Sequence, residues 1–346
     1  MHMADALISP AIGGTFLLVS AGLMAYSSKT LKNELPFESL KIPLMGVMGA
    51  FVFAVQMINF TIPGTGSSGH LGGGMLLAIL LDTPAAFLTM ASILVVQALF
   101  FADGGLLALG CNIFNLGFFP CFITYPFIFK RIVGDSFTSK KVIIGSMAAS
   151  VIGLQLGSLS VIGQTFLSGK SDISFLTFLI MMQPIHLAIG IVEGIITAGV
   201  VSYILNTRPE IITAKKYEKS PSNKIKVKLL LYFGVLALFA GGMLSWLAST
   251  QPDGLEWSIL KSIRNENNEG SVHGLYSLFS KTQEKTAFLP DYGYKTENAV
   301  SDTEHSESVW PSVDSGTTVS GIVGAIITLL VIIILGMLLK MKQRPV

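Results

Sequence analysis

Two histidines far apart in the chain carry the chemistry most worth reading. His2 stands at the head of the sequence, and His70 follows a run of turn formers, Pro63-Gly64-Thr65-Gly66-Ser67-Ser68-Gly69. In a chain that begins Met1-His2, the α-amine, the deprotonated amide nitrogen of His2 and its imidazole Nδ1 can wrap one cation in fused chelate rings. One further imidazole completes a plane of four nitrogens. That donor set suits Ni(II) or Cu(II) and admits Co(II), whereas Zn(II) prefers a tetrahedron. Aminopeptidases that remove Met1 usually require a small second residue, so the bulk of His2 implies that Met1 and its amine are retained. Taken singly, His2 reads as a frayed terminal residue and His70 as a loop imidazole bonded to backbone. The metal reading therefore requires the two to meet.

The elements that would bring them together are membrane spans. Apolar residues make up 51% of the 346 and charged residues only 13%, against about 25% charged in soluble domains. The net charge of +2, without basic runs interleaved with aromatics, excludes a nucleic-acid surface. No Lys or Arg precedes the first apolar run, so a cleaved secretory leader is not expected. Charge-free runs predict nine passes in an all-α integral membrane protein. Seven lie in a first block: Ala6 to Tyr26, two within Ile42 to Leu81 separated by the 63–69 turn formers, Thr83 to Ala102, Gly104 to Phe129, Val142 to Gly169 and Ile173 to Asn206. A basic linker, 207–228, leads to a second unit, 229–346, with passes at Leu229 to Ser249 and Gly321 to Leu339. The polar stretch between them, Thr250 to Gly316, is too poor in apolar residues to pack a core and is expected to be loosely ordered.

Basic residues set the expected orientation, because Lys and Arg accumulate on cytoplasmic loops. Lys29, Lys32 and Lys41 follow the first span, Lys130, Arg131, Lys140 and Lys141 the fifth, and Lys340, Lys342 and Arg344 the last. The N-terminus, the 61–71 loop, the turn at Asp103 and the 250–316 segment then face outward, and the C-terminus faces the cytoplasm. This topology puts His2 and His70 on the same outer side. Within the spans, Asn112, Asn115, His186 and Glu193 are polar, and such groups usually satisfy one another or line a cavity. His186 and Glu193, seven apart, share a helix face. A hydrogen-bond network between helices is the preferred reading and a proton pathway the alternative. Cys111 and Cys121 are ten apart in one apolar run, about 15 Å along a helix, too far for a disulfide.

With these residues in view, the chain resembles the substrate-specific membrane components of energy-coupling factor transporters for nickel and cobalt, NikM and CbiM. The likeness rests on Met1-His2, on Gly64-Thr65-Gly66-Ser67-Ser68-Gly69-His70-Leu71-Gly72-Gly73, and on the stretches from Gly105 to Gly117 and His186 to Gly194. It implies a seven-helix first block and an ion held by the terminal amine, the His2 amide and imidazole, and His70, with Ser68 beside the site. Relatives continue Met-His-Ile-Pro-Asp-Gly, whereas this chain reads Met3-Ala4-Asp5-Ala6 and lacks the proline and glycine of that turn. Asp5 remains, to orient an imidazole from behind or to cap the first helix. In the second unit, Pro252-Asp253-Gly254-Leu255-Glu256 resembles the signature of the small auxiliary subunit, NikN or CbiN. Asp253 and Glu256 are accordingly candidates for contact with the outer face of the first block.

No phosphate-binding Gly-x-x-x-x-Gly-Lys-Ser/Thr loop is present, so ATP-driven transport would need separate subunits. The resemblance implies a transmembrane coupling subunit and a pair of cytoplasmic ATPases, no enzymatic activity in this chain, no organic cofactor, and Ni(II) or Co(II) as bound substrate in the cytoplasmic membrane. His-Glu-x-x-His is absent as well, leaving an intramembrane metalloprotease without support. Two other classes remain open: a self-sufficient proton-coupled carrier using His186 and Glu193, and a metal-binding receptor that does not transport.

Overall fold

A computed structural model describes residues 2–34, 41–134, 137–170, 173–207, 223–249, 251–262, 274–295 and 313–341. Six of its helices are long and apolar enough to cross a bilayer. Five are in the first block: α1 (Pro10–Glu34), α4 (Thr83–Phe100), α5 (Leu109–Val133), α6 (Ser139–Ser168) and α7 (Phe175–Thr207). α2 (Lys41–Gln56) is shorter, and α3 (Gly74–Leu81) has only 8 residues. At 1.5 Å per residue α3 is about 12 Å long, well under the ~30 Å hydrocarbon core. The third predicted pass is therefore not a full helix.

Its outer part is a β-hairpin, which the run of turn formers did not announce as paired strands. β1 (Phe60–Ile62) pairs antiparallel with β2 (Ser67–Gly69), and Gly64 and Gly66 take φ of 79° and 76° to reverse the chain. The backbone then runs non-helically through His70 to Gly73 before α3 begins. Irregular backbone is tolerated at depth only where protein surrounds it, and every residue from Ser67 to Leu81 is buried. Glu193 of α7 accepts the Gly72 N–H at 2.7 Å, satisfying a donor that no helix turn satisfies there. α5 is also irregular: it runs as a wide π-type coil over Phe114–Phe129, where Pro120 and Pro126 remove amide donors from the ordinary ladder.

The second unit packs on the first. α11 (Ser315–Met341) lies against α2, where a Cβ on Gly49 would come within 2.3 Å of Ile332, and against Phe53, which leaves no room for a side chain at Gly324. α8 (Asn223–Gly242) crosses α11 backbone to backbone, a Cβ on Gly321 falling 2.2 Å from the Gly241 carbonyl. Gly321→Ala is therefore expected to lower the melting temperature of the purified protein, at the roughly 1–3 kcal/mol typical of overpacking, while Ala at the open Gly234 should leave it unchanged.

The largest departure from expectation is the outer segment. Its described part is ordered, with α9 (Gly254–Ser262) and α10 (Leu275–Thr286) laid over the first block. Composition gave the segment no core of its own, but it shares one: Leu255, Tyr276 and Phe279 pack in a cluster with Met3, Leu7 and Ile8. Tyr276 also donates its hydroxyl to the Ile8 carbonyl at 2.7 Å. Most of the 207–228 linker lies outside the described residues.

Candidate metal site

The head of the chain folds back into the outer end of the bundle. Met3 is fully buried, its N–H donating to Asn112 Oδ1 at 2.8 Å and its carbonyl accepting from Asn112 Nδ2 at 3.2 Å and from the Gly105 N–H at 2.9 Å. This three-point clamp holds the head of a chain that lacks the Pro and Gly after His2. Gly104, at φ 82°, must lack a side chain, because a Cβ would come within 2.7 Å of Asn112 Nδ2. Asn115 pairs reciprocally with Gln164 of α6, at 2.8 and 3.0 Å, and lies 3.6 Å from the Met3 sulfur, so it buttresses the clamp. Asp5 does neither job expected of it. Its carboxylate accepts the Ala108 N–H at 3.0 Å, tying the head to the loop before α5 instead of orienting an imidazole or capping α1. Burial raises its pKa, and the backbone donors of residues 106–108 counter that rise.

This clamp sets His2 directly over His70. The two rings stack with centroids 5.0 Å apart and planes at 23°. A relay of side-chain amides fixes the protons. The Gly72 carbonyl can only accept, so Gln56 Nε2 donates to it at 2.7 Å. Gln56 Oε1 then accepts from Gln97 Nε2 at 2.9 Å, leaving Gln97 Oε1 to face His2 Nε2 at 3.2 Å. His2 Nε2 must carry the hydrogen, and a neutral ring keeps its lone pair on Nδ1. His70 is set the opposite way, because Nδ1 faces the Leu71 carbonyl at 3.1 Å and so carries the hydrogen, which puts the lone pair on Nε2. Burial drives both imidazoles down to about 3, so both are neutral at pH 7. His2 Nδ1 lies 3.3 Å from Asp103 Oδ1. A lone pair facing a carboxylate oxygen is repulsive unless a cation sits between them, and a metal ion or a proton would meet that need.

The auxiliary motif closes the other side. The Ser68 N–H donates to the Pro252 carbonyl at 2.7 Å, its hydroxyl donates to the Gln251 carbonyl at 2.7 Å, and Ser68 bridges Asp253 in parallel register. Ser68 thus docks the second unit. Asp253 and Gly254 join His70, His186, Gly69, Gly72 and the side chains of Leu116, Leu154 and Ile189 around a cavity of ≈ 10 Å³, at the threshold for one water. Leu255 is buried, while Glu256 is exposed and gives its backbone N–H to Asp253 Oδ1, at 2.8 Å. His186 Nδ1 bonds the Met182 carbonyl at 2.8 Å, one turn back on α7, and Glu193 is held on Gly72.

Gln56, Gln97, Asp103 and Tyr292 were not singled out by the sequence. Gln56 and Gln97 carried the same signal that picked out Asn112, an uncharged polar residue in an apolar run. Asp103 sits next to the glycines of the turn, and its carboxylate was the only charge there. Met1 lies outside the described residues. Among those described, no three His, Cys, Asp or Glu side chains gather as a metal cluster, so an ion here would draw further donors from backbone.

Fold and site define a multispanning membrane protein with a buried, paired-imidazole centre under an auxiliary cap. The family described as the cobalt uptake substrate-specific transmembrane region matches residues 2–211, and the PDGLE domain matches residues 227–341. A protein of Archaeoglobus fulgidus, provisionally named a fused nickel transport protein, NikMN, is 35% identical over 62% of this chain and 69% of its own length. The cobalt transport protein CbiM of Sorangium cellulosum is 25% identical over 61% of this chain and 94% of its own. A solved transition metal transporter superposes with a TM-score of 0.54 at 28% identity, covering 63% of this chain and 99% of its own. The chain belongs to the CbiM family of substrate-specific membrane regions, fused to a PDGLE domain.

Proposed function

We propose that this chain captures Ni(II) or Co(II) for an ATP-driven energy-coupling factor uptake system. The ion would be held by the Met1 amine, the His2 amide nitrogen and Nδ1, and His70 Nε2. One observation carries the reading: two neutral imidazoles stacked at 5.0 Å whose hydrogen bonds leave lone pairs on the nitrogens that a shared ion would need. The relatives' names, nickel transport for one and cobalt transport for another, support the choice of ion pair and leave both open. Residues 1–206 would form the metal-binding domain, 207–228 a cytoplasmic linker and 229–346 the auxiliary domain, in the cytoplasmic membrane with the N-terminus outside. The ion is cargo, so the chain itself catalyses nothing; a transmembrane coupling subunit and cytoplasmic ATPases would supply the work.

The test is metal analysis and an absorption spectrum of the purified protein, with transport assayed alongside. Stoichiometric nickel or cobalt with ligand-field bands, and uptake that ceases when the ATPase subunits are removed, is the expected result. Uptake by this chain alone, abolished by collapsing the proton gradient, would instead establish a secondary carrier. Both His186 and Glu193 already have backbone partners, the Met182 carbonyl and the Gly72 N–H, which supports a structural reading over that alternative. Binding without uptake under every partner combination would establish a receptor.

Affinity should fall with pH. Binding displaces the protons of the amine and of the His2 amide, so it should weaken by at least about tenfold per pH unit below 7. The fold moves the same way. Both imidazoles sit near 3 when buried and at about 6.5 when unfolded, so below 6.5 the unfolded chain binds more protons and stability is lost as pH falls toward 3. Calorimetric titration at pH 8, 7 and 6 reads the first effect, and an affinity flat across that range would exclude an amide ligand.

A further inference from the structure

The second unit also reaches the site by a route outside the Pro252 to Glu256 motif. Tyr292 donates its hydroxyl to Asp103 Oδ2, and the other oxygen of that carboxylate is the one 3.3 Å from His2 Nδ1. Asp291 and Tyr292 take φ of 49° and 61°, a left-handed conformation that side chains keep only where the surroundings enforce it. Here the surroundings do. The Asp291 N–H donates to the Phe101 carbonyl at 2.8 Å and the Leu289 N–H to the Phe100 carbonyl at 3.3 Å. The Tyr292 ring stacks on Phe101, centroids 5.2 Å apart at 23°. Gln283 Nε2 reaches the carbonyls of both Ala98 and Gly104, at 2.9 and 2.8 Å. Each of these bonds grips the turn from Ala98 to Gly104, which begins next to Gln97, contains Asp103 and ends against the Met3 clamp.

We infer that Tyr292 is a positioning residue for ion capture: acting through Asp103, it holds a carboxylate opposite His2 Nδ1, so the site is fully assembled only while residues 283–292 are seated on the 98–104 turn. This rests on the metal reading above. An amine, one deprotonated amide and two neutral imidazoles leave a net single positive charge on a divalent ion. A buried charge of that kind needs a partner, and a carboxylate beside a ligand nitrogen supplies it. The phenol fixes which way the carboxylate turns, because one oxygen is committed to the hydroxyl and the other is left facing the imidazole. A tyrosine whose hydroxyl merely needs a partner when buried would not require two consecutive left-handed residues to bring it there.

The experiment is a double-mutant cycle in the full chain: Tyr292→Phe, Asp103→Asn and the pair, with Ni(II) affinity by calorimetry and the ligand-field spectrum of the bound ion. Phenylalanine keeps the stack on Phe101. Tyr292→Phe is expected to weaken binding about 10- to 30-fold, within the usual range for groups that orient ligands, and to shift the spectrum. In the Asp103→Asn background the same change should have no further effect. Gln283→Leu, which loosens the clasp without touching Asp103, should weaken binding by a smaller factor and serves if Tyr292→Phe does not fold. Wild-type affinity in both Tyr292→Phe and Gln283→Leu, or a Tyr292 loss that adds in full to the Asp103 loss, overturns the inference. His2→Ala keeps the two ideas separate: if it binds Ni(II) as the wild type does, the metal reading fails; if it loses binding while Tyr292→Phe retains it, only the role of Tyr292 falls.

Discussion

His70→Ala is expected to weaken capture of Ni(II) by more than about 100-fold, beyond the 10- to 100-fold that loss of a supporting outer group costs. The reason is the division of labour between the two rings. His2 brings Nδ1 together with its own amide, so its donors come as a chelate, but a chelate from one strand leaves an edge of the plane open. On the proposed reading His70 Nε2 is the donor that fills it, with its tautomer fixed by the Leu71 carbonyl and its ring stacked on His2. Alanine removes this donor and spares the elements that hold it: the β1–β2 pairing, the Glu193 bond to Gly72 and the Gln56 bond to the Gly72 carbonyl involve no His70 atoms. The folded protein should therefore survive, with a melting temperature near that of the wild type without metal. The ligand-field bands should disappear, and transport with them. A variant that keeps its affinity within tenfold would mean that the stacked pair is packing, and the proposed site would have to be abandoned.

The passes could be read because hydrocarbon excludes charge, and charge-free length is a one-dimensional quantity. That is why each of α1, α4, α5, α6, α7 and α11 overlaps a predicted run, although only α4 lies wholly within one and the others extend past it into flanking polar residues. The same measure cannot tell helix from buried extended chain, and it failed there. The charge-free run over 70–81 predicts a span, yet residues 70–73 are buried loop, held by Glu193 and Gln56 from neighbouring helices. The outer segment failed for a related reason. Thr250 to Gly316 has too little apolar content to fold alone, and the order of its described residues comes from contacts with Met3, Ile8 and the 98–104 turn, more than a hundred and fifty residues away in sequence; residues 263–273 and 296–312 lie outside the described residues. Local composition carries no information about a surface supplied by another part of the chain.

The candidate site divides along the same line. The meeting of His2 and His70 was legible because few residue types could serve as such ligands and the charge pattern predicted one side for both. Asn112, Asn115, His186 and Glu193 were legible as buried polar groups but not in their partners: Asn112 bonds the Met3 backbone, Asn115 the Gln164 side-chain amide, His186 the Met182 carbonyl and Glu193 the Gly72 N–H. The relay from Gly72 through Gln56 and Gln97 to His2 was not legible, since its meaning lies in which end of each amide faces which neighbour. Asp5 shows how a plausible local role loses to a distant one. Nothing in Met3-Ala4-Asp5-Ala6 indicates that the Ala108 N–H will be its partner.

In a protein prepared to begin at Met1, acetylating the α-amine or placing residues before it should abolish high-affinity binding, again by more than about 100-fold. A backbone amide does not give up its proton to a metal at neutral pH on the strength of one imidazole. It does so when a second donor on its other side anchors the ion and the two chelate rings fuse across it. The amine is that anchor, so blocking it should remove two ligands at once and leave two imidazoles, which bind weakly and without the planar spectrum. The fold should be indifferent, because the head is fixed from Met3 onward by Asn112 and Gly105, two residues past the modified atom. Proteolytic removal of the added residues, leaving Met1 first, should restore both affinity and spectrum. A blocked chain that binds as tightly as the free one, with the same bands, would show that the fourth nitrogen comes from elsewhere. Asp103, which already faces His2 Nδ1 at 3.3 Å, would then be the first donor to examine.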